Sequence, residues 1–330
     1  IYILLLLQNI VNKKTMKSKK PNEQQNFVIR LLKKLEIIKI ILGIKNTLKV
    51  FSQINNWKTF HPTKKNMIIT NFTLENRKYE IVTNKYDLRS YLIKDGKQNH
   101  KISFLKKFLK KGYFFDIGTN YGEFSLVLSE YQKKVFCFEP NFINYECLKE
   151  TFKNFNNVSL FNDAVSNQIA RQKMPIKLMS SGNSSLNSNT NIGNKIYSMY
   201  DFGNSFNVSK EINLVKLSNF FLNSIPIEEN IINIKIDVEG HENNILEDLL
   251  TFKDLEKISF FIIFEYNLST QENLNDTKIV LEKFFEKNFK FIIIPQLKSD
   301  MKNFEYNYTN FKDINFKKSS EICITNYNVF

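Results

Sequence analysis

The stretch Phe114-Phe115-Asp116-Ile117-Gly118-Thr119-Asn120-Tyr121-Gly122-Glu123-Phe124-Ser125-Leu126 decides the fold, because it reads as a buried strand breaking into a glycine turn and then a helix. Tyr113 to Phe115 form a short apolar run. Gly118, Asn120 and Gly122 punctuate it, and apolar positions resume at helical spacing with Phe124, Leu126, Val127 and Leu128. Glycine has no Cβ and takes positive φ readily, so a turn of this kind lets backbone pass close to a ligand. The helix that follows aims its first N–H groups back at the same crevice.

The spacing of the turn selects the ligand. A dinucleotide fingerprint needs G-x-G-x-x-G, and Asp116 stands where its first glycine belongs. A carboxylate there repels a pyrophosphate but suits an ammonium group, and S-adenosylmethionine carries an amino-acid ammonium beside an adenosine. About 23 residues further on, the next apolar strand, 135–138, ends in Glu139, an acid able to accept hydrogen bonds from both ribose hydroxyls. A lone D-x-G-x-x-x-G is also compatible with a plain strand-to-helix turn. The acid at the next strand end favours nucleotide binding over that reading.

Outward from this centre, the 330 residues suffice for one large core, or a core with a small appendage. The net charge of +14 points at first to a polyanionic partner, yet residues 1–113 carry 25 Lys and Arg against 6 Asp and Glu, whereas the remainder carries 22 against 27. The excess is confined to the front third. Arginine, the residue suited to bidentate phosphate contacts, is scarce. Cys137, Cys147 and Cys323 are widely spaced with no C-x-x-C or histidine pattern, so the expectation is a reducing, cytoplasmic setting without disulfides or zinc.

Three segments are expected. Residues 1–26 read as a basic leader, with Ile1–Leu7 too short to span a bilayer and Met16 a candidate true start. Residues 27–112 read as a basic helical arm followed by a small antiparallel β subdomain. Leu31, Leu32, Leu35, Ile38 and Leu42 share one side of the helix over 27–51, which suits either a packing arm or peripheral contact with the inner face of an anionic membrane. The runs NMIITNF, KYEIVTN and YLIKDG over 66–96 alternate as strands, and 99–111 has helical spacing.

From residue 113 to 330, apolar strands alternate with helical patterns, predicting an α/β domain with a mostly parallel sheet. Strands are expected at 113–117, 135–139, 158–161, 231–239 and 259–265, and FKFIIIP with EICITN forms a closing antiparallel hairpin. Two antiparallel strands within 171–217 flank a Ser/Asn/Gly-rich insertion suited to a substrate lid. In IINIKIDVE, period 2 places Lys235, Asp237 and Glu239 on one face, which must therefore look into something polar.

Asp116, Glu139, Asp163, Asp237, Glu239 and Glu265 all fall at or just past strand ends, where open α/β sheets bind ligands. Methyl transfer to a hydroxyl needs alignment and a base. His241, next to Gly240 and close to Asp237 and Glu239, is the base candidate, against the plainer reading of a histidine that packs at a helix start. Lys235 is expected to pair internally with Asp237 or Glu239. Oxygen-only clusters suit Mg²⁺, so Asp237, Glu239 and Glu265 are a candidate divalent-cation set that spacing alone does not establish.

Taken together, FFDIGTNYGEFSL, VFCFEPN, NDAVS, IKIDVEGHE and IIFEYN, in this order over about residues 100–295, resemble the FkbM family of S-adenosylmethionine-dependent methyltransferases. The resemblance implies a class I methyltransferase (Rossmann-like) fold and mostly O-methylation of sugars, glycans or natural products. It assigns Asp116, Gly118, Asn120 and Gly122 to the cofactor loop, Glu139 to the ribose, and Asp163 with Ala164 to the adenine-side turn. The Ser/Asn loop from Gly182 to Leu186 resembles the family's small-residue loop near the cofactor. One departure is Lys216-Leu217-Ser218-Asn219, where the family has a T-L-D-D-like stretch.

The expected function is methylation of a hydroxyl on a sugar, glycan or glycolipid, with His241, Asp237 and Glu239 as the catalytic set. A nucleic-acid methyltransferase is the second reading, disfavoured by the slightly acidic core and by the lack of an N-P-P-Y or D-P-P-Y tetrapeptide to stack a flipped base. A non-catalytic, membrane-associated S-adenosylmethionine-binding scaffold is the third.

Overall fold

Near-continuous apolar strands can be buried only if both faces of their sheet are covered. The computed structural model, which describes residues 64–87, 89–177, 181–186, 207–225, 231–268, 274–294 and 305–330, has that architecture. β3 (Tyr113–Ile117), β4 (Lys134–Phe138), β5 (Val158–Phe161), β9 (Ile231–Ile236), β10 (Ser259–Tyr266), β11 (Lys290–Ile294) and β12 (Ser320–Thr325) form a seven-stranded sheet in the order β11-β12-β10-β9-β3-β4-β5. The pairings from β10 through to β5 are parallel, and β12 runs antiparallel to both β10 and β11. The expected α/β class, with its mostly parallel sheet and closing hairpin, is the one that forms. Strand order reverses between β3 and β9, so the C-terminal ends of these two strands flank the crevice of the sheet.

Alternation along the strands assigns side chains to faces. Phe115, Phe136 and Phe138 share one face; Phe115 stacks on Phe136 and Phe138 on Phe161, each at 4.7 Å between centroids. The Phe220 ring, from α5 (Leu217–Ser224), meets all four edge-on. Phe114, Val135 and Cys137 point the other way, into a cluster shared with Leu148 of α4 (Phe142–Phe152) and with Phe72, Leu74, Tyr79 and Ile81. Those last four belong to the hairpin β1 (Met67–Leu74) and β2 (Arg77–Asn84), which therefore has no core of its own apart from the main sheet.

Two sequence expectations are corrected. YLIKDG is not a strand but lies largely in helix α1 (Arg89–Lys94), because the Asp87 carboxylate accepts the Arg89 N–H at 2.9 Å and the Asp87 carbonyl accepts the Ser90 hydroxyl at 2.8 Å. Such local bonds start a helix where alternation alone suggests a strand. The strand expected over 231–239 ends at Ile236. Glu239 and Gly240 adopt φ of 56° and 103°, forming the turn that launches α6 (Glu242–Leu250), so strand alternation does not reach Glu239.

Lys216-Leu217-Ser218-Asn219, the stretch that departs from the family pattern, opens α5. Asp248 of α6, fully buried, accepts the Ser218 N–H at 2.9 Å and the Ser218 hydroxyl at 2.6 Å. The segment is thus a helix start docked on a neighbouring helix. Asp248→Ala is expected to lower stability by about 1–3 kcal/mol through the abandoned N–H and hydroxyl, read as a lower urea midpoint; an unchanged midpoint would remove this role.

α2 (Asn99–Phe108) matches the helix expected over 99–111. α3 (Glu123–Leu128) follows the glycine turn, and α7 (Leu274–Glu286) precedes β11. The flanking strands of the insertion, β7 (Ala170–Lys177) and β8 (Asn207–Val215), pair antiparallel, and β8 also pairs with β6 (Ala164–Val165). The leader, the basic helix over 27–51 and most of the insertion lie outside the described residues. Among the described residues, no helix is long and apolar enough to cross a membrane.

Candidate active site

The turn after β3 is fixed before any ligand is considered. The N–H groups of Gly118 and Thr119 both bond to the Phe138 carbonyl, at 3.0 and 3.1 Å, while the Asp237 N–H bonds to the Ile117 carbonyl at 3.0 Å. These bonds tie the ends of β3, β4 and β9 together. Gly118 has φ 73°, and a Cβ on it would lie 1.9 Å from the Asp237 carbonyl oxygen. Only glycine fits there.

A cleft opens over these strand ends. Its wall includes Gly118, Asn120, Glu139, Asp163, Ala164, Asp237, Glu239 and His241, so eight of the ten site candidates meet in one place. Ser181, Gly182, Ser184 and Leu186 also line it.

Asp116 and Gly122 do not line the cleft. Asp116 is fully buried beneath the turn, where it accepts the Ser125 hydroxyl at 2.6 Å and pairs with the Lys235 ammonium at 3.1 Å. The expectation that this carboxylate faces a ligand ammonium is corrected: its charge is met from within the protein. Gly122, φ 90°, leaves room for α4, since a Cβ there would come within 2.9 Å of both Phe152 and Leu148.

Lys235 pairs with Asp116 and, at 3.6 Å, with Asp237, not with Glu239, and it also donates to the Gly118 carbonyl at 3.0 Å. Burial pulls its pKa down, but Asp116 and Asp237 outweigh burial and hold it above the ordinary lysine value.

The acids of the cleft differ in environment. Glu139 accepts the N–H of Asn120 at 2.7 Å on one oxygen and that of Asn141 at 2.9 Å on the other, which fixes the carboxylate and leaves further lone pairs for a ligand. Burial nevertheless raises its pKa to about 7. Asp163 accepts from the Asn213 amide at 3.0 Å. Asp237 is held below the ordinary range: burial opposes this, but Lys235, Lys101 and Arg89 together prevail. Glu239 is raised well above it by burial and then by Asp237, Glu265 and Glu242.

Glu265 lies further along the sheet, opposite Glu321 in the β10–β12 pairing, and burial followed by Asp237 and Glu321 raises it to about 8. Among the described residues, no group of three His, Cys, Asp or Glu side chains is placed to hold a metal ion, so Asp237, Glu239 and Glu265 do not form the cation set that their spacing allowed.

His241 is 7 % exposed and stands in the cleft wall. Its Nε2 lies 3.0 Å from the Ser166 hydroxyl, and its Nδ1 is buried without a partner. Burial lowers its pKa to about 4, so the ring is neutral throughout the neutral range.

A sequence profile described as the methyltransferase FkbM domain matches residues 116–291, more than half of the chain. The chain belongs to the FkbM methyltransferase family. No curated protein matches it. Similar solved structures include the precorrin-6y C5,15-methyltransferase of Geobacter metallireducens, with 10 % identity and a TM-score of 0.33 over 69 % of this chain and 86 % of that one. TYW2 of M. jannaschii in complex with AdoMet has 10 % identity and a TM-score of 0.38 over 78 % of this chain and 85 % of that one.

This FkbM-family protein is a methyltransferase that uses S-adenosylmethionine. The lining of the cleft suits that cofactor chemically: a glycine turn after β3, a carboxylate fixed at the end of β4, and Asp237 and Glu239 just past the end of β9. Several groups around the site were not singled out in the sequence. Arg89 and Asp87 precede the matched region, and Lys101 lies on α2 and reaches Glu321 of β12. Their spacing from the glycine turn carries no pattern, and only the packing of the front segment against the sheet brings them near.

Proposed function

We propose that this FkbM-family enzyme transfers the methyl group to a hydroxyl of a sugar, glycan or glycolipid. In this reading Gly118 and Asn120 provide the turn over which the cofactor lies, and Glu139 holds the ribose diol. Asp163 and Ala164 border the adenine. S-Adenosylmethionine supplies the electrophilic methyl group.

The observation that carries the hydroxyl assignment is His241. His241 lines the cleft, its Nε2 lies 3.0 Å from the Ser166 hydroxyl and its Nδ1 has no partner; in the tautomer that protonates Nε2, Nδ1 is the acceptor of the ring. An acceptor hydroxyl there gives its proton to Nδ1 as its oxygen takes the methyl group. Asp237, which Lys235, Lys101 and Arg89 hold below the ordinary range against burial, and Glu239, raised by burial and then by its acidic neighbours, supply the carboxyl groups that orient a polyol.

Two results are expected. His241→Ala should reduce kcat by about 10²- to 10⁴-fold while S-adenosylhomocysteine affinity stays near wild type; a matching loss of affinity would make the residue structural. Glu139 must be ionised to accept from both ribose hydroxyls, so S-adenosylhomocysteine affinity should fall as pH drops through about 7. Glu139→Gln should bind more weakly and lose that dependence. A wild-type pH profile in the variant would overturn the ribose role. The acceptor class is tested with methyl-labelled S-adenosylmethionine and fractionated cell extract: label in carbohydrate or glycolipid is expected, and label in RNA or protein alone would reject the proposal.

A further inference from the structure

S-Adenosylmethionine ends in both an ammonium and a carboxylate, and the acids of the cleft suit only the first. Glu139, Asp163, Asp237 and Glu239 would repel the second. Among the described residues three cations act on Asp237: Lys235, Lys101 and Arg89. Lys235 is engaged by Asp116, Asp237 and the Gly118 carbonyl, and Lys101 is held by Glu321 at the far strands of the sheet.

Arg89 differs. One terminal nitrogen donates to Glu123 at 2.7 Å, whereas Nε is buried without a partner. A guanidinium has five N–H donors, so an oriented fork remains. A Cβ added to Gly182, which lines the cleft, would lie 4.0 Å from the Arg89 Cδ and 3.8 Å from the Asn120 side-chain nitrogen.

The mounting of Arg89 is equally specific. The Asp87 carboxylate accepts the Arg89 N–H at 2.9 Å, the Tyr121 hydroxyl at 2.8 Å and the Ser181 N–H at 3.3 Å. One buried acid therefore joins the start of α1, the glycine turn and the Ser181–Asn183 turn. Arg89 lies outside residues 116–291, the span that the family shares.

We propose that Arg89 is a cofactor-binding residue that receives the carboxylate of the methionine part of S-adenosylmethionine, with Glu123 orienting the guanidinium. The segment before the shared domain thus completes the cofactor site. This inference rests on the cofactor lying in the cleft described above.

Calorimetry on the full chain tests it, with S-adenosylhomocysteine and its decarboxylated analogue S-adenosyl-3-thiopropylamine, which keeps the sulfur and the ammonium. Wild type is expected to prefer the carboxylate-bearing ligand by about 10-fold or more, the usual scale of a charge-assisted hydrogen bond. Arg89→Gln should bring that ratio close to one with little change for the amine, and Arg89→Lys should restore part of it. Equal wild-type affinity for the two ligands would overturn the proposal even if both variants fail to fold, as would an undiminished ratio in Arg89→Gln. Binding of neither ligand to wild type would instead remove the placement of the cofactor itself.

Discussion

Lys235→Met is expected to destabilise the protein by about 3–5 kcal/mol, the range for removing one partner of a buried ion pair. Asp116 has no exposed surface, and the side chain of Lys235 is 8 % exposed. The ammonium also holds the Gly118 carbonyl at 3.0 Å and lies 3.6 Å from Asp237. Methionine fills similar space but meets none of these oxygens, leaving a carboxylate in a site that water does not reach. With typical total stabilities of about 5–15 kcal/mol, most of the folded population could be lost. Urea unfolding measures the effect. Asp116→Asn combined with Lys235→Met should recover much of the loss, because the stranded charge is gone. A single variant as stable as wild type, or a double variant no better than the single, would show that the pair is not what secures the turn.

Gly118→Ala is expected to abolish measurable S-adenosylhomocysteine binding. At φ 73° a left-handed alanine costs about 1–2 kcal/mol by itself. The larger cost is steric: the new Cβ would sit 1.9 Å from the Asp237 carbonyl oxygen, which is backbone and cannot rotate away. Relief requires the turn to lift from β9, breaking the bonds from Gly118 to Phe138 and from Asp237 to Ile117 that set the cleft floor. Far-ultraviolet circular dichroism should remain near wild type while affinity falls more than about 10-fold, equivalent to 1.4 kcal/mol. Gly182→Ala is the stability control, since its Cβ would meet nothing closer than 3.8 Å and its φ is ordinary. Cofactor affinity retained in Gly118→Ala would mean that the ligand does not pass over this turn.

The sequence by itself determined the sheet and the location of its crevice. Continuous apolar runs such as Phe114–Phe115 and Val135–Phe138 are confined to strands covered on both faces, and the glycine spacing after Asp116 admits only a tight turn. Both are local properties, which is why β3, β4, the closing hairpin and eight cleft residues were legible in advance. Tertiary structure alone decided which charge answers which. Asp116, at the first strand end, was readable as a ligand contact until Lys235 of the neighbouring strand was placed 3.1 Å away. Glu239 left the face that alternation gave it because the chain turns left-handed before α6. Asp87 and Arg89 joined the site from outside the family's span because the front hairpin shares the core of the sheet. Burial and pairing energies depend on distances between segments far apart in the chain, and no spacing along a sequence encodes them.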